Sequence, residues 1–94
     1  MTGAPVASET LTVSTTVVGL TAATYKPNRV ERKALVEVLT NDIYFRLDSA
    51  TATPTSSDHA GLVGSRIEVD FPSRFGAVRQ AAPDASIKVT YFEV

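Results

Sequence analysis

Apolar and polar side chains alternate along much of this chain, and a period of two is the mark of a strand that turns one face to a core and the other to solvent. In residues 11–18, Leu11, Val13, Thr15 and Val17 share one face while Thr12, Ser14, Thr16 and Val18 share the other, which predicts a single strand ended by Gly19. Ile43, Phe45 and Leu47 alternate with Tyr44, Arg46 and Asp48, and Ile67, Val69 and Phe71 with Arg66, Glu68 and Asp70. Ile87, Val89 and Tyr91 alternate with Lys88, Thr90 and Phe92, so a last strand runs almost to the carboxyl end. Each set predicts one buried row per strand.

Turn chemistry sits between these runs. Thr40, Asn41 and Asp42 tolerate left-handed dihedrals and bond their own backbone, so residues 36–47 read as a hairpin. Pro83 and Asp84 suit the central positions of a type I turn, which makes 75–81 and 86–92 a second hairpin, with Gly76 weakening its first strand or marking a bulge. Residues 28–40 are ambiguous. Asn28 and Glu31 have capping-box spacing and Val30, Ala34, Leu35, Val38 and Leu39 fit a helical face, yet Ala34, Val36, Val38 and Thr40 alternate, and the β-branched pair favours strand. Residues 48–64, rich in Ser, Thr, Ala and Gly, read as a long excursion outside the core, and loops of that length are commonly functional. Residues 1–9 hold little apolar mass and predict a flexible arm ahead of one domain, 10–94.

Composition sharpens this picture. Twelve Val, twelve Thr and three Ile in 94 residues favour sheet over helix. A chain of this mass folds to roughly 5,200 Å² of surface, enough for one small domain and not two. The expected architecture is all-β: a small antiparallel sandwich or partly open barrel of about six to seven strands. With no Cys, the apolar core alone must hold it. Nine basic and ten acidic side chains leave a net charge of -1, so no cationic field draws in nucleic acid or an anionic membrane. Neither a signal-peptide pattern in residues 1–9 nor a membrane-length apolar run is present in the sequence.

Candidate chemistry is sparse. His59 beside Asp58, with Asp48 upstream, suggests acid–base or metal work, but a lone His among loop carboxylates reads better as solvated. Ser56, Ser57 and Ser73 lack a nucleophile-elbow context, and Gly61 and Gly64 do not make a phosphate cradle. Neither a cofactor nor an enzymatic activity is expected. Lys26, Arg29, Arg32 and Lys33 form the nearest approach to a basic patch. Tyr25, Tyr44, Tyr91 and Phe92 are candidates for a stacking platform.

At Asp42-Ile-Tyr-Phe-Arg-Leu-Asp48, Ala52-Thr-Pro-Thr-Ser56, His59, Gly64 and Ile67, then Phe75-Gly-Ala-Val-Arg79 and Val89-Thr-Tyr-Phe92, the chain resembles a family of small proteins encoded among the virion structural genes of tailed bacteriophages. It departs from that pattern at Ser49, where a turn Gly is common, and at Asp58, which replaces a Gly before His59. The resemblance implies a non-enzymatic virion component, foremost a capsid decoration or cement protein on the outer surface of the mature head. Its partner would be the major capsid protein, and a homo-oligomer, with a trimer favoured, would match three-fold positions of a shell. A tail, head-fibre or connector adaptor and a small carbohydrate-binding module using Tyr25, Tyr44 or Tyr91 are the competing expectations. Contacts are expected from Thr2, Gly3, Ala4, Pro5, Val6, Ala7 and Ser8 of the arm, which suits strand addition to a partner. On the long loop they are expected from Thr51, Thr53, Pro54, Thr55, His59 and Leu62.

Overall fold

In the computed structural model, which describes residues 4–26 and 31–93, the alternating segments build a small antiparallel β-sandwich of eight strands. The strands are β1 (Pro5–Val13), β2 (Val18–Gly19), β3 (Lys33–Thr40), β4 (Ile43–Arg46), β5 (His59–Gly61), β6 (Arg66–Val69), β7 (Gly76–Arg79) and β8 (Ala85–Phe92). One sheet has the order β1-β8-β3-β6 and the other β2-β7-β4-β5. A single helical turn, α1 (Ala22–Tyr25), and a 3-10 turn, Pro72–Arg74, lie at the end where β3 and β8 meet through Lys33 and Phe92. The accessible surface is 5205 Å².

The core follows the predicted parity. Ile87, Val89 and Tyr91 of β8 interleave with Val36 and Val38 of β3, and these face Ile43 and Phe45 of β4 and Ala77 of β7 in the opposite sheet. Phe75 is fully buried and stacks on Phe45, ring centroids 5.9 Å apart. Residues 33–40 are strand, because only that conformation turns Ala34, Val36 and Val38 together into the core; residues 28–30 lie outside the described residues.

Several expectations are corrected. Residues 11–18 are not one strand: β1 stops at Val13, the Ser14 hydroxyl accepts the Thr16 N–H, and the chain crosses to the other sheet as β2. Neither expected hairpin forms, since β3 and β4 lie in different sheets, as do β7 and β8. The turn at Asn41 does adopt the left-handed conformation (φ 55°), but it arches between sheets; the second connection carries a cis Ala82–Pro83 peptide in place of the expected type I turn. Phe71 leaves the core because β6 ends at Val69 and the 3-10 turn at Pro72 redirects the chain. The boundary at residue 9 also moves. Pro5–Glu9 is the first half of β1, paired with β8, although the expected arm residues Thr2 and Gly3 lie outside the described residues.

That half-strand carries no strand signal in the sequence because its inward row is Ala7 and Glu9, with almost no apolar mass. Glu9 is held from inside: its carboxylate accepts the Tyr91 hydroxyl at 2.5 Å and the Thr21 hydroxyl at 2.6 Å, tying β1 to β8 and to the segment after β2. Burial, reinforced by the bonded Glu9 carboxylate, pushes the Tyr91 phenol far above its ordinary range, so it stays a donor.

The 48–64 excursion is partly structural. It contains β5 and lies against the outer face of the second sheet, where Gly19 and Gly76 stand opposite each other in the β2–β7 pair. A Cβ on Gly76 would come within 2.8 Å of the Ser49 carbonyl oxygen and 3.2 Å of Ala50 Cα, so bare backbone there is what lets the loop settle. β7 keeps its register with no bulge.

Candidate functional site

Alternation along β4 sends Phe45 inward and Arg46 outward, and Leu47, just past the strand, is left 41% exposed. Pairing of β4 with β5 sets His59 opposite Phe45, where the two rings stack at 5.2 Å and 27°. The Arg46 guanidinium grips Asp48 through both Nε and Nη2 at 2.9 Å, and Asp58 Oδ1 stands 4.0 Å from Nε. The other Asp58 oxygen accepts the Thr55 N–H at 2.8 Å, while the Asp58 N–H donates to the Thr55 carbonyl at 2.9 Å, closing a compact turn. Arg46, Leu47, Asp48, Asp58 and His59 line a shallow depression of about 270 Å³.

Leu47 also borders a second depression of about 170 Å³ shared with Glu68, Val69, Asp70 and Phe71. Phe71 is 57% exposed, flanked by the Arg74 guanidinium 5.3 Å from its ring centre. On its far side are Glu31, Lys33 and Asp70, with Lys33 and Asp70 paired at 3.6 Å. The result is one continuous surface with two large apolar side chains at its centre and charged groups on both flanks. Protein interfaces commonly share this arrangement, an apolar middle inside a polar rim.

The charged flank is itself an ordered pair. Hydrogen bonding to Arg46 holds the Asp48 carboxyl below the usual carboxylate range, and Asp48 in turn raises Arg46. Because the folded value is the lower one, the pair contributes fully above the unfolded carboxylate pKa of about 3.9 and is lost as pH falls through the folded value. An NMR titration is expected to give Asp48 a midpoint below that of an unpaired carboxylate, and Arg46→Gln is expected to return it to the ordinary range.

The expected contact residues are only partly brought together. Thr51, Thr53, Thr55 and His59 are exposed, but Pro54 is buried and presents nothing to a partner. Leu62 is exposed at the opposite end of the sandwich, near Leu39 and Val63, where Gly64 and Ser65 pair with Val38. Ala4, Pro5, Val6, Ala7 and Ser8 lie along the far lateral edge, on or beside β1, with Ala7 turned inward. Tyr91, at 0% exposure, cannot serve as a stacking face, and Tyr25, Tyr44 and Phe92 are half-buried. Of the basic cluster, Arg32 donates to the Thr24 carbonyl at 3.1 Å, Lys33 pairs with Asp70 at 3.6 Å, and Arg29 lies outside the described residues. The Ser73 N–H donates to Glu31, a loop staple. No group of three metal-ligating side chains occurs among the described residues.

The alternation places Leu47 and Phe71 on buried rows, whereas both are exposed. The signal available was Pro72, which disfavours continuing a regular strand through its neighbourhood. Comparison with protein-family models, curated proteins and solved structures finds no match to this chain.

Proposed function

We propose that this protein is a capsid decoration (cement) protein of a tailed bacteriophage, docking on the major capsid protein at the outer surface of the mature head. The observation that carries the docking reading is the exposed Leu47–Phe71 centre with its charged flanks, a contact surface on a rigid sandwich. The virion assignment is supported by the sequence resemblance in 42–67, 75–79 and 89–92. A protein that binds assembled shell and not loose capsomers stabilises the assembly by mass action, about 2.7 kcal/mol per site at 100 times its Kd. Repetition over symmetry-related sites turns modest affinity into resistance against internal pressure.

Incubation with mature shells and with unexpanded precursor shells, scored by sedimentation and gel densitometry, tests the reading. Saturable, stoichiometric occupancy of mature shells is the expected result, and Phe71→Ser is expected to weaken it at least about tenfold, the 1.4 kcal/mol of one lost apolar anchor. Wild-type occupancy by both Phe71→Ser and Leu47→Ser would remove this surface from the account. Absence of binding to either shell would overturn decoration itself. Deleting residues 2–8 is not a clean test of the arm, because it removes part of β1.

A further inference from the structure

Four strands form the lateral edges of the two sheets, and three of them are poor templates for further pairing. β2 has two residues and β5 three, while β6 is short and turns Arg66 and Glu68 to solvent. β1 differs from all three. It is nine residues long, bonded through its backbone only to β8 among the described residues, and its outward row is Val6, Ser8, Thr10 and Thr12, all uncharged. Its one charge, Glu9, is turned inward and held by Tyr91 and Thr21. Edge strands are ordinarily blunted by shortness or outward charge, and β1 has neither between Ala7 and Val13.

We infer that β1 is a pairing edge for a second copy of this chain, joining two sandwiches through an antiparallel β1–β1 ladder about a two-fold axis at Thr10. The register follows from the side chains. Centring on Glu9 would set two carboxylates face to face, and centring on Leu11 shortens the overlap. Centring on Thr10 pairs residues 7–13 with 13–7, sets Thr10 against Thr10 and Ser8 against Thr12, and stops short of the irregularity between Pro5 and Ala7. Such hydroxyl pairs are favourable across strands. Lys88, next to Thr10 on β8, ends up three strand spacings from its copy, about 14 Å, beyond the screening length at ordinary salt. An isologous pair closes on itself, so this edge gives two-fold association, not the three-fold one expected from shell symmetry. It also leaves the Phe71 surface free on each copy, since β5 and β6 form the opposite edge; on the decoration reading the pair is a bivalent unit.

The test uses the full chain alone and does not depend on shells. Sedimentation equilibrium over a wide concentration range is expected to show a reversible dimer. Thr10→Glu is expected to raise its Kd about fivefold, since like charges then meet across the axis, while within each chain the introduced carboxylate gains Lys88 as a partner and the fold is kept. Thr10→Cys, in a chain with no other cysteine, is expected to give a disulfide-linked dimer on mild oxidation, because paired Cα atoms lie about 4.5–5.5 Å apart. Thr12→Cys is expected to link far less, its two copies being about 13 Å apart along the ladder. A monomer at every concentration overturns the inference, as does a dimer indifferent to Thr10→Glu in which the two cysteines cross-link equally.

Discussion

Tyr91→Ala is expected to lower the stability of this protein by about 4 kcal/mol, the upper range for aromatic deletions from a packed core. Tyr91 is fully buried on the central strand β8, so the cavity it leaves cannot relax toward solvent. Its hydroxyl is also a donor to Glu9, and removal strips that carboxylate of one of its two hydroxyl partners. For 94 residues total stability is on the order of 5–14 kcal/mol, so this one change takes a large share and lowers Tm by about 15–30 °C. Tyr91→Phe keeps the ring and loses only the hydrogen bond, an expected cost of about 1 kcal/mol. Urea unfolding of the pair separates the two contributions; a loss below about 2 kcal/mol for Tyr91→Ala would mean the sheets are not clamped around this ring.

Gly76→Ala is expected to destabilise by about 2–3 kcal/mol, against the usual sign for glycine in a strand. Adding a methyl to an unstrained strand glycine commonly stabilises by about 0.4–1 kcal/mol, by narrowing the unfolded ensemble. At Gly76 the methyl meets backbone: the Ser49 carbonyl oxygen at 2.8 Å and Ala50 Cα at 3.2 Å. Backbone cannot rotate away as a side-chain tip can, so the 49–50 segment must lift from the sheet. Gly19→Ala, whose nearest contact is the Ala50 methyl at 3.2 Å, is expected to cost less. Thermal melts of the two variants give both sign and order, and a more stable Gly76→Ala would show that this loop is not packed on the sheet.

Strand identity was legible in the sequence where alternation met a two-sided core. Ile87, Val89 and Tyr91 turn inward, as do Ile43 and Phe45, because burial of one face imposes the parity that the residues display. Sheet membership was not legible. Asn41 marks a reversal in a hairpin and in an arch alike, so turn residues fix where the chain bends and not which sheet it enters. Val13 to Val18 keeps alternating in the sequence, yet the crossing between sheets shifts the parity: Val13 and Val18 both pack on the core, while Val17 lies beside Gly76 on the outer face. The candidate site suffered from the same gap. Asp48, Asp58 and His59 are close enough in sequence to be considered together, whereas Arg46 joins them, and Leu47 and Phe71 become neighbours, only through the fold, with β4 and β6 of opposite sheets ending near one another.

The repeated crossings between sheets, on six of the seven connections, also bear on how the chain acquires its structure. In this topology β8 lies between β1 and β3, and β7 between β2 and β4, so each sheet is stitched from segments distant in sequence. Loop-closure entropy must therefore be met before most pairings return any energy, which places folding toward the slow end for a domain of this size. During synthesis, β1 and β3 emerge long before the strand that joins them. The first sheet has no centre until β8 takes its place, so β1 and β3 stay unjoined however well each is formed.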